Sequence, residues 1–423
     1  MCLLAASAAC CAGQCCCNCL CGAFKACGVK AKVFSRIGYV VFQLFWILVS
    51  FALLFTAKPI FSSWISFIGC PSDNQACFGM SAVFRMSFIL LLFHVLVFLI
   101  CLTRTQIAAV FHDGWWLFKW LLVFGSFIAS FYIPNPFFEG YVHFARGASV
   151  FFLIYQGICI LNLSYVINNA IVSNWAESEG SCAGIFMIGI TAIIYVLDLV
   201  FLIFQFIWFK GCALNIIILC ITIIFGIIFT VLVALKTRED SSILTNAMVM
   251  AYALFLSWSA MSSHPSENCN PFTKSNANTL YQIGLGLVFT MISLFSISVI
   301  TKNDEDEGKL PVMSSPLVEK EENDEELEDI PQVGTQTVTA EEAHVYPITI
   351  PTILFHVLMM FASVYYGVLL TNWGDASIND ERTTLFRSNN FSFWIKVVAQ
   401  WGSFAVYTFS LVGPLLFPNR EWS

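Results

Sequence analysis

Apolar residues along this chain gather into ten long runs, at 34–57, 84–103, 112–133, 147–172, 184–208, 212–235, 243–263, 279–300, 348–371 and 393–417. A helix needs about 20 mostly apolar residues to cross the hydrocarbon core of a bilayer, so each run predicts one spanning helix. The short alternating pattern of a membrane β-barrel is missing from these runs. Only Phe209, Lys210 and Gly211 separate the fifth and sixth runs, which predicts a tight helical hairpin. An even number of spans puts both termini on one side. With the N-terminus cytosolic, that side carries 11 Lys and Arg in its loops against 7 on the other. Positive charge stays preferentially on the cytosolic side, so cytosolic termini are expected.

Composition agrees with this pattern. The chain is 58% hydrophobic and 11% charged, whereas soluble domains average about 25% charged residues. Charge adds one refinement. The net charge is −7, yet 301–347 alone holds 14 acidic and 3 basic residues, which leaves 13 acidic and 17 basic elsewhere. This tract has few aromatics and is expected to be a disordered cytosolic loop. It is a solvated linker or a docking segment for a partner. The expected organisation is a cysteine-rich segment 1–33, helices one to eight over 34–300, the acidic loop 301–347, and helices nine and ten with a short tail over 348–423. The basic residues are scattered, so nucleic acid is not an expected partner.

Nine of the 17 cysteines fall in the first 27 residues. "CCAGQCCCNCLCG" lacks the paired spacing and histidines of a zinc module. Its position before a first span, with Lys25, Lys30, Lys32 and Arg36 nearby, suits reversible S-palmitoylation. Cys70, Cys77 and Cys269 fall on the non-cytosolic side, where disulfides persist, and Cys70–Cys77 is the expected bridge. The sequon Asn390-Phe391-Ser392 lies on that side too, directly against the last span.

Polar residues inside spans point to function, because they are costly there. In the third span His112, Trp116 and Lys119 follow helical spacing and form one stripe, with Asp113 beside it. Lys119 is either an anchor reaching the interface or a cation held for something polar. In the fourth, Tyr155, Asn162 and Asn169 repeat every seven residues, with Gln156 and Tyr165 near them. Lys396, Gln400, Ser403 and Tyr407 share a face of the tenth; His356 and Ser363 share a side of the ninth. Asp198 is a lone acid in the fifth and is expected to turn inward. Such stripes cross-link helices by hydrogen bonds, or line a groove that passes a lipid headgroup while its acyl chains stay in the bilayer. No GxSxG, HExxH or Walker A pattern occurs, and neighbouring histidines lack metal-ligand spacing. Neither catalysis nor a cofactor is expected.

Several segments carry a resemblance. "SWSAMSSHPSENCNP" (257–271), "FRMSF" (84–88), "GWWLFKWLL" followed by "FYIP" (131–134), "FHVLMMFASVYYGVLLTNW" (355–373) and "FWIKVVAQWGSFAVYTFSLVGPLLFPNREWS" (393–423) resemble, in order, motifs of the serine incorporator (Serinc/Tms) family. The cysteine-rich start and the acidic loop also fit. The resemblance implies an all-α polytopic membrane protein of about ten transmembrane helices, in two helical subdomains crossed by a long tilted helix, here expected from about Arg146. It implies residence in a eukaryotic endomembrane or plasma membrane. It also implies passive, ATP-independent phospholipid scrambling, or an accessory role in delivering serine to phosphatidylserine and sphingolipid synthesis. A structural lipid-binding protein is the third reading. The family's fourth span carries an acid and a histidine where this chain has Asn162 and Tyr165, so an ion-coupled step through that pair is not expected. The expected groove residues are Arg85, His112, Lys119, Asn162, Tyr165, Lys396, Gln400 and Ser403. Expected partners are membrane phospholipids and lipid-synthesis enzymes, with a homo-oligomer left open.

Overall fold

The computed structural model describes residues 31–61, 70, 75–177, 182–238, 241–273, 275–307, 348–374 and 390–417. The cysteines of 1–27 and the acidic tract beyond Glu307 lie outside the described residues. Eleven α-helices are described, and no strand among the described residues. In chain order they are α1 (Ala31–Phe61), α2 (Gln75–Leu102), α3 (Gln106–Asp113), α4 (Trp116–Ala129), α5 (Asn135–Glu177), α6 (Cys182–Phe209), α7 (Ala213–Ala234), α8 (Ile243–Met261), α9 (Asn276–Glu307), α10 (Ile350–Leu370) and α11 (Asn390–Leu416). Nine of the described helices are long and apolar enough to span a bilayer, and α3 with α4 form a bent pair that passes the same test together.

The helices sort into two halves. α1, α2, α4, α9 and α10 pack together, as do α6, α7, α8 and α11, and α5 touches members of both sets. With 43 residues, α5 is about 65 Å long. That exceeds a hydrocarbon core of about 30 Å, so it tilts or protrudes. It begins at Asn135, earlier than the expected start near Arg146. Glu139, His143 and Arg146 make this stretch more polar than the rest of the helix. The helix continues through it because Phe138, Val142, Ala145, Ser149 and Phe152 form one buried stripe at helical spacing. The α9 helix also runs past the expected boundary at 300, to Glu307.

The third expected span needs a larger correction. Residues 112–133 are not one helix: α3 and α4 meet at 76° across Gly114 and Trp115. Trp115 adopts a left-handed conformation (φ 57°), uncommon for a bulky residue, and it turns the chain sharply. The bent unit still traverses the bundle. At one end Arg85 of α2 donates to Ser130 O and Ile133 O. At the other, Cys101 of α2 lies beside His112. Arg85 and Cys101 are 16 residues apart, so the chain from 112 to 133 covers about 24 Å of depth. The tenth crossing is therefore this broken one.

The expected Cys70–Cys77 disulfide is present, joined by a second, Cys212–Cys269. With ten crossings both lie at one end of the bundle, here called the disulfide end; the opposite end carries the start of α1. Asn390 opens α11, and Ser392 of the sequon is buried.

Close crossings rest on small residues. A Cβ on Gly79 would collide with the Leu54 carbonyl, so α1 and α2 meet in backbone contact there. A Cβ on Gly157 would lie 2.7 Å from Ser403 Oγ, where α5 crosses α11. Gly79→Val is expected to cost about 1–3 kcal/mol by overpacking, read as a lower melting temperature in detergent. Gly125→Val is the control: nothing lies within 4 Å of its added Cβ, and its melting temperature should match the parent's.

Candidate functional site

Four buried cations follow one rule, each donating to the C-terminal carbonyl end of another helical segment. Lys119 Nζ donates to His112 O at the end of α3, 2.8 Å away. Arg85 donates to Ser130 O and Ile133 O past the end of α4, to Asn135 Oδ1 at 2.8 Å, and to Ser81 Oγ. Arg146 donates to Trp373 O past the end of α10. Lys396 donates to Ser259 O in the last turn of α8 (3.1 Å) and to Ser263 Oγ just beyond (2.7 Å). Helix C-termini leave carbonyls without intrahelical donors and carry partial negative charge. In a dry bundle those carbonyls have no water to turn to, and a buried cation has no better acceptor.

Lys119 is 0% exposed and does not reach the interface. Its Nζ sits over the rings of Trp116 (4.4 Å), Tyr39 (4.6 Å) and Phe111 (5.3 Å), contacts that stabilise a desolvated cation. Lys119 meets His112 across the helix bend, not along one helical stripe. Trp116 and Trp120 pack inward on Tyr39, Phe42 and Trp46, and only Trp115 of the three is largely exposed.

Beneath Lys119 a chain of polar side chains links α1, α2 and α10, with the His112–Asp113 pair of α3 beside it. Ser363 Oγ donates to Met359 O (2.7 Å) and so accepts from Gln43 Nε2 (3.1 Å). That orients Gln43 Oε1 toward His94 Nε2, 3.1 Å away. His94 Nδ1 faces His356 Nδ1 at 3.3 Å. His112 Nδ1 lies 2.7 Å from Asp113 Oδ1. The Nε2 atoms of His112 and His356 are buried and have no hydrogen-bond partner among the described residues.

The second half holds a cleft of about 360 Å³ between α6, α7 and α8. Its wall is mainly apolar, and its polar members are Tyr195, Asp198, Thr222, Thr230 and Asn246. Exposed Leu199, Ile227 and Val231 flank it, so it opens toward lipid. Asn246 Nδ2 donates to Tyr195 Oη (2.7 Å) and Thr230 Oγ1 (3.0 Å). Asp198 Oδ2 has no hydrogen-bond partner among the described residues.

The sequence-predicted residues do not share one groove. Lys119 and His112 lie in the first half, near the end opposite the disulfides, whereas Lys396 lies in the second half near the disulfide end. Arg85 is occupied in tying α2 to the 130–135 turn. Lys396, Gln400, Ser403 and Tyr407 do form one buried face. Of these, Gln400 adjoins the cleft, donating to Thr222 Oγ1 at 2.9 Å. Tyr165 contacts Ser410 Oγ (3.2 Å) and stacks under Arg238, which itself donates to Ser410. Asn162 is half-buried on α5. Sequence reasoning missed Arg238, Asn246 and the Cys212–Cys269 bridge. Cys212 stands next to the predicted non-cytosolic turn, and pairing it with the unassigned Cys269 was the available signal.

A family model described as "Serine incorporator (Serinc)" matches residues 9–420. The chain belongs to the serine incorporator family. A "Probable serine incorporator" of Nematostella vectensis is 26% identical, covering 93% of this chain and 92% of its own length. A membrane protein of Schizosaccharomyces pombe is 27% identical over 93% and 91%. "Serine incorporator 2" of Mus musculus is 25% identical over 98% and 99%. This family member is a multi-pass membrane protein.

Lys119→Ala empties a site walled by three aromatic rings and is expected to cost about 2–4 kcal/mol. Lys119→Met should recover most of that, because His112 O keeps the Tyr39 hydroxyl at 3.0 Å and the desolvated charge is gone. Thermal unfolding of the two variants in one detergent checks the order. A Met variant no better than Ala would mean that the charge itself stabilises the fold.

Proposed function

We propose that this serine incorporator moves phospholipids between leaflets without ATP, as a passive scramblase. The observation that supports the reading is the lipid-facing cleft whose wall carries Asp198 at mid-helix. Its volume lies in the range of small-molecule pockets: it suits a headgroup, with the acyl chains left in the bilayer. Thr222 and Thr230 are separated by about 12 Å of helix, so the few polar groups are spread along a mainly apolar cleft instead of gathering at one rim. Asp198 offers a carboxylate to a headgroup amine. Arg238, near Tyr165, offers a cation to the phosphate at the end opposite the disulfides. Hydroxyl and amide contacts are weak enough to release the headgroup again, as transit requires. The buried cations Arg85, Lys119 and Lys396 serve helix ends in this reading, not the headgroup. The chain acts without catalysis, its termini are cytosolic, and the cysteines of 1–27 carry acyl groups.

The relatives' printed name favours a second reading, a non-catalytic accessory that supports serine incorporation into lipids, with the acidic tract docking a synthesis enzyme. The two separate in two assays. Purified protein in liposomes with a fluorescent phospholipid should exchange leaflets faster than empty vesicles. Asp198→Leu should slow exchange by about tenfold, roughly 1.4 kcal/mol on the barrier, without loss of folded protein. A wild-type rate equal to that of empty vesicles sinks the scramblase reading; bound lipid without exchange would leave a structural lipid-binding protein. Deleting 303–345 should lower new phosphatidylserine in cells only under the accessory reading.

A further inference from the structure

Three side chains from three different helices converge in the first half, and the scrambling reading uses none of them. Cys101 is a free, fully buried thiol near the end of α2. His112 of α3 and His356 of α10 are 5% and 0% exposed. One ring nitrogen of each histidine and the Cys101 Sγ all lie within 4.8 Å of one another. The ring centroids of the two histidines are 5.2 Å apart.

The hydrogen-bond partners point to which nitrogens face the site. Asp113 Oδ1 accepts at 2.7 Å, so His112 carries its proton on Nδ1 and keeps a lone pair on Nε2. On the other side the relay runs from Met359 O. The Ser363 hydroxyl donates to it and accepts from Gln43 Nε2, which leaves Gln43 Oε1 to accept from His94 Nε2–H. His94 Nδ1 is then an acceptor, and His356 Nδ1–H donates to it. His356 therefore also keeps its lone pair on Nε2. Each of these Nε2 atoms is buried and has no hydrogen-bond partner among the described residues. Histidine ligands of metals are commonly oriented in this way, with the second ring nitrogen donating to a carboxylate or another fixed acceptor. Here Asp113 orients one ligand and the His94–Gln43–Ser363 chain orients the other.

We propose that Cys101, His112 and His356 bind one thiophilic d¹⁰ metal ion inside the helical bundle, copper(I) in preference to zinc(II). Thiolate and imidazole donors suit both ions. Bonds of about 2.0–2.3 Å require ligand atoms about 3.5–4 Å apart, within about 1 Å of the observed spread. Charge separates the two ions. Binding deprotonates the thiol: one proton leaves as the metal enters. Exchange of H⁺ for copper(I) leaves the net charge unchanged, whereas exchange for zinc(II) adds one positive charge. Lys119, bonded to His112 O, and Arg36, buried one turn above Tyr39 on α1, already make the surroundings positive, with Asp113 the opposing charge. Three ligands complete a trigonal copper(I) site, while zinc(II) ordinarily takes a fourth. The Asp113 side chain is 37% exposed, so the site lies one residue in from the surface.

The nine cysteines of 1–27 would also take up thiophilic metals, so the test uses the full chain with those nine changed to serine. Copper(I) is titrated against bicinchoninate, and zinc(II) against a chromophoric chelator. One copper(I) per chain is expected, lost in Cys101→Ser and in His356→Gln and retained in Cys159→Ser. X-ray absorption of the loaded parent should show one sulfur and two nitrogen neighbours, a readout that stands even where a variant fails to fold. Copper uptake equal in the parent and a folded Cys101→Ser variant, or a sulfur-only or nitrogen-only shell, overturns the site. Stoichiometric zinc without copper overturns the preference.

Discussion

Helix ends are the scarce resource of this fold. A spanning helix satisfies its own backbone, but each break, turn or terminus inside the bundle leaves carbonyls that lipid cannot serve. Lys119, Arg85, Arg146 and Lys396 each supply donors to such an end from another helix. The same contacts remove the difficulty of the cations themselves, which would otherwise be charges in a dry interior. The bend at Trp115 illustrates the exchange. It frees the end of α3, and the lysine that answers it sits one turn into α4. Much of what looks functional in the sequence is thus the fold's own means of ending helices away from water.

The legible and illegible parts divide along this line. Span positions follow from apolar run length, and the face shared by Lys396, Gln400, Ser403 and Tyr407 follows from helical spacing. The inward sides of His356 and Ser363 follow in the same way. The break in the third span leaves one mark, the turn dipeptide Asp113-Gly114, but the apolar residues on either side of it read as a single run. The start of α5 was not legible because Glu139, His143 and Arg146 interrupt the apolar pattern, while the buried stripe from Phe138 to Phe152 continues beneath them. Clusters built from several helices were beyond reach. The spacing of Cys101, His112 and His356 along the chain says nothing of their meeting, which depends on how α2, α3 and α10 pack.

The two halves divide the chemistry as well as the packing. The first is dense with aromatic rings, and its polar groups are held in close contacts around Tyr39 and His94. Such an environment suits the retention of a small ion better than the passage of a larger group. The second half exposes long apolar faces of α6 and α7 and sets a few polar groups into the wall of a mainly apolar cleft. Ion retention and lipid passage call for opposite properties, rigidity in one case and easy release in the other. The α5 helix, packed on both halves, joins them into one body.

The Cys212–Cys269 bridge has a mechanical consequence for the second half. It binds the α6–α7 turn to the loop after α8, and Asn215 reinforces the joint by donating to Cys269 O at 2.8 Å. Phe272 packs there on Trp208 and Phe209. The three helices that wall the cleft are therefore riveted together at one extremity. Like the arms of tweezers, they part least at the rivet and most at the far tips, where Arg238 and the start of α8 lie. A group wide enough to spread these helices would meet least resistance on that side, because the covalent joint sets the direction of opening.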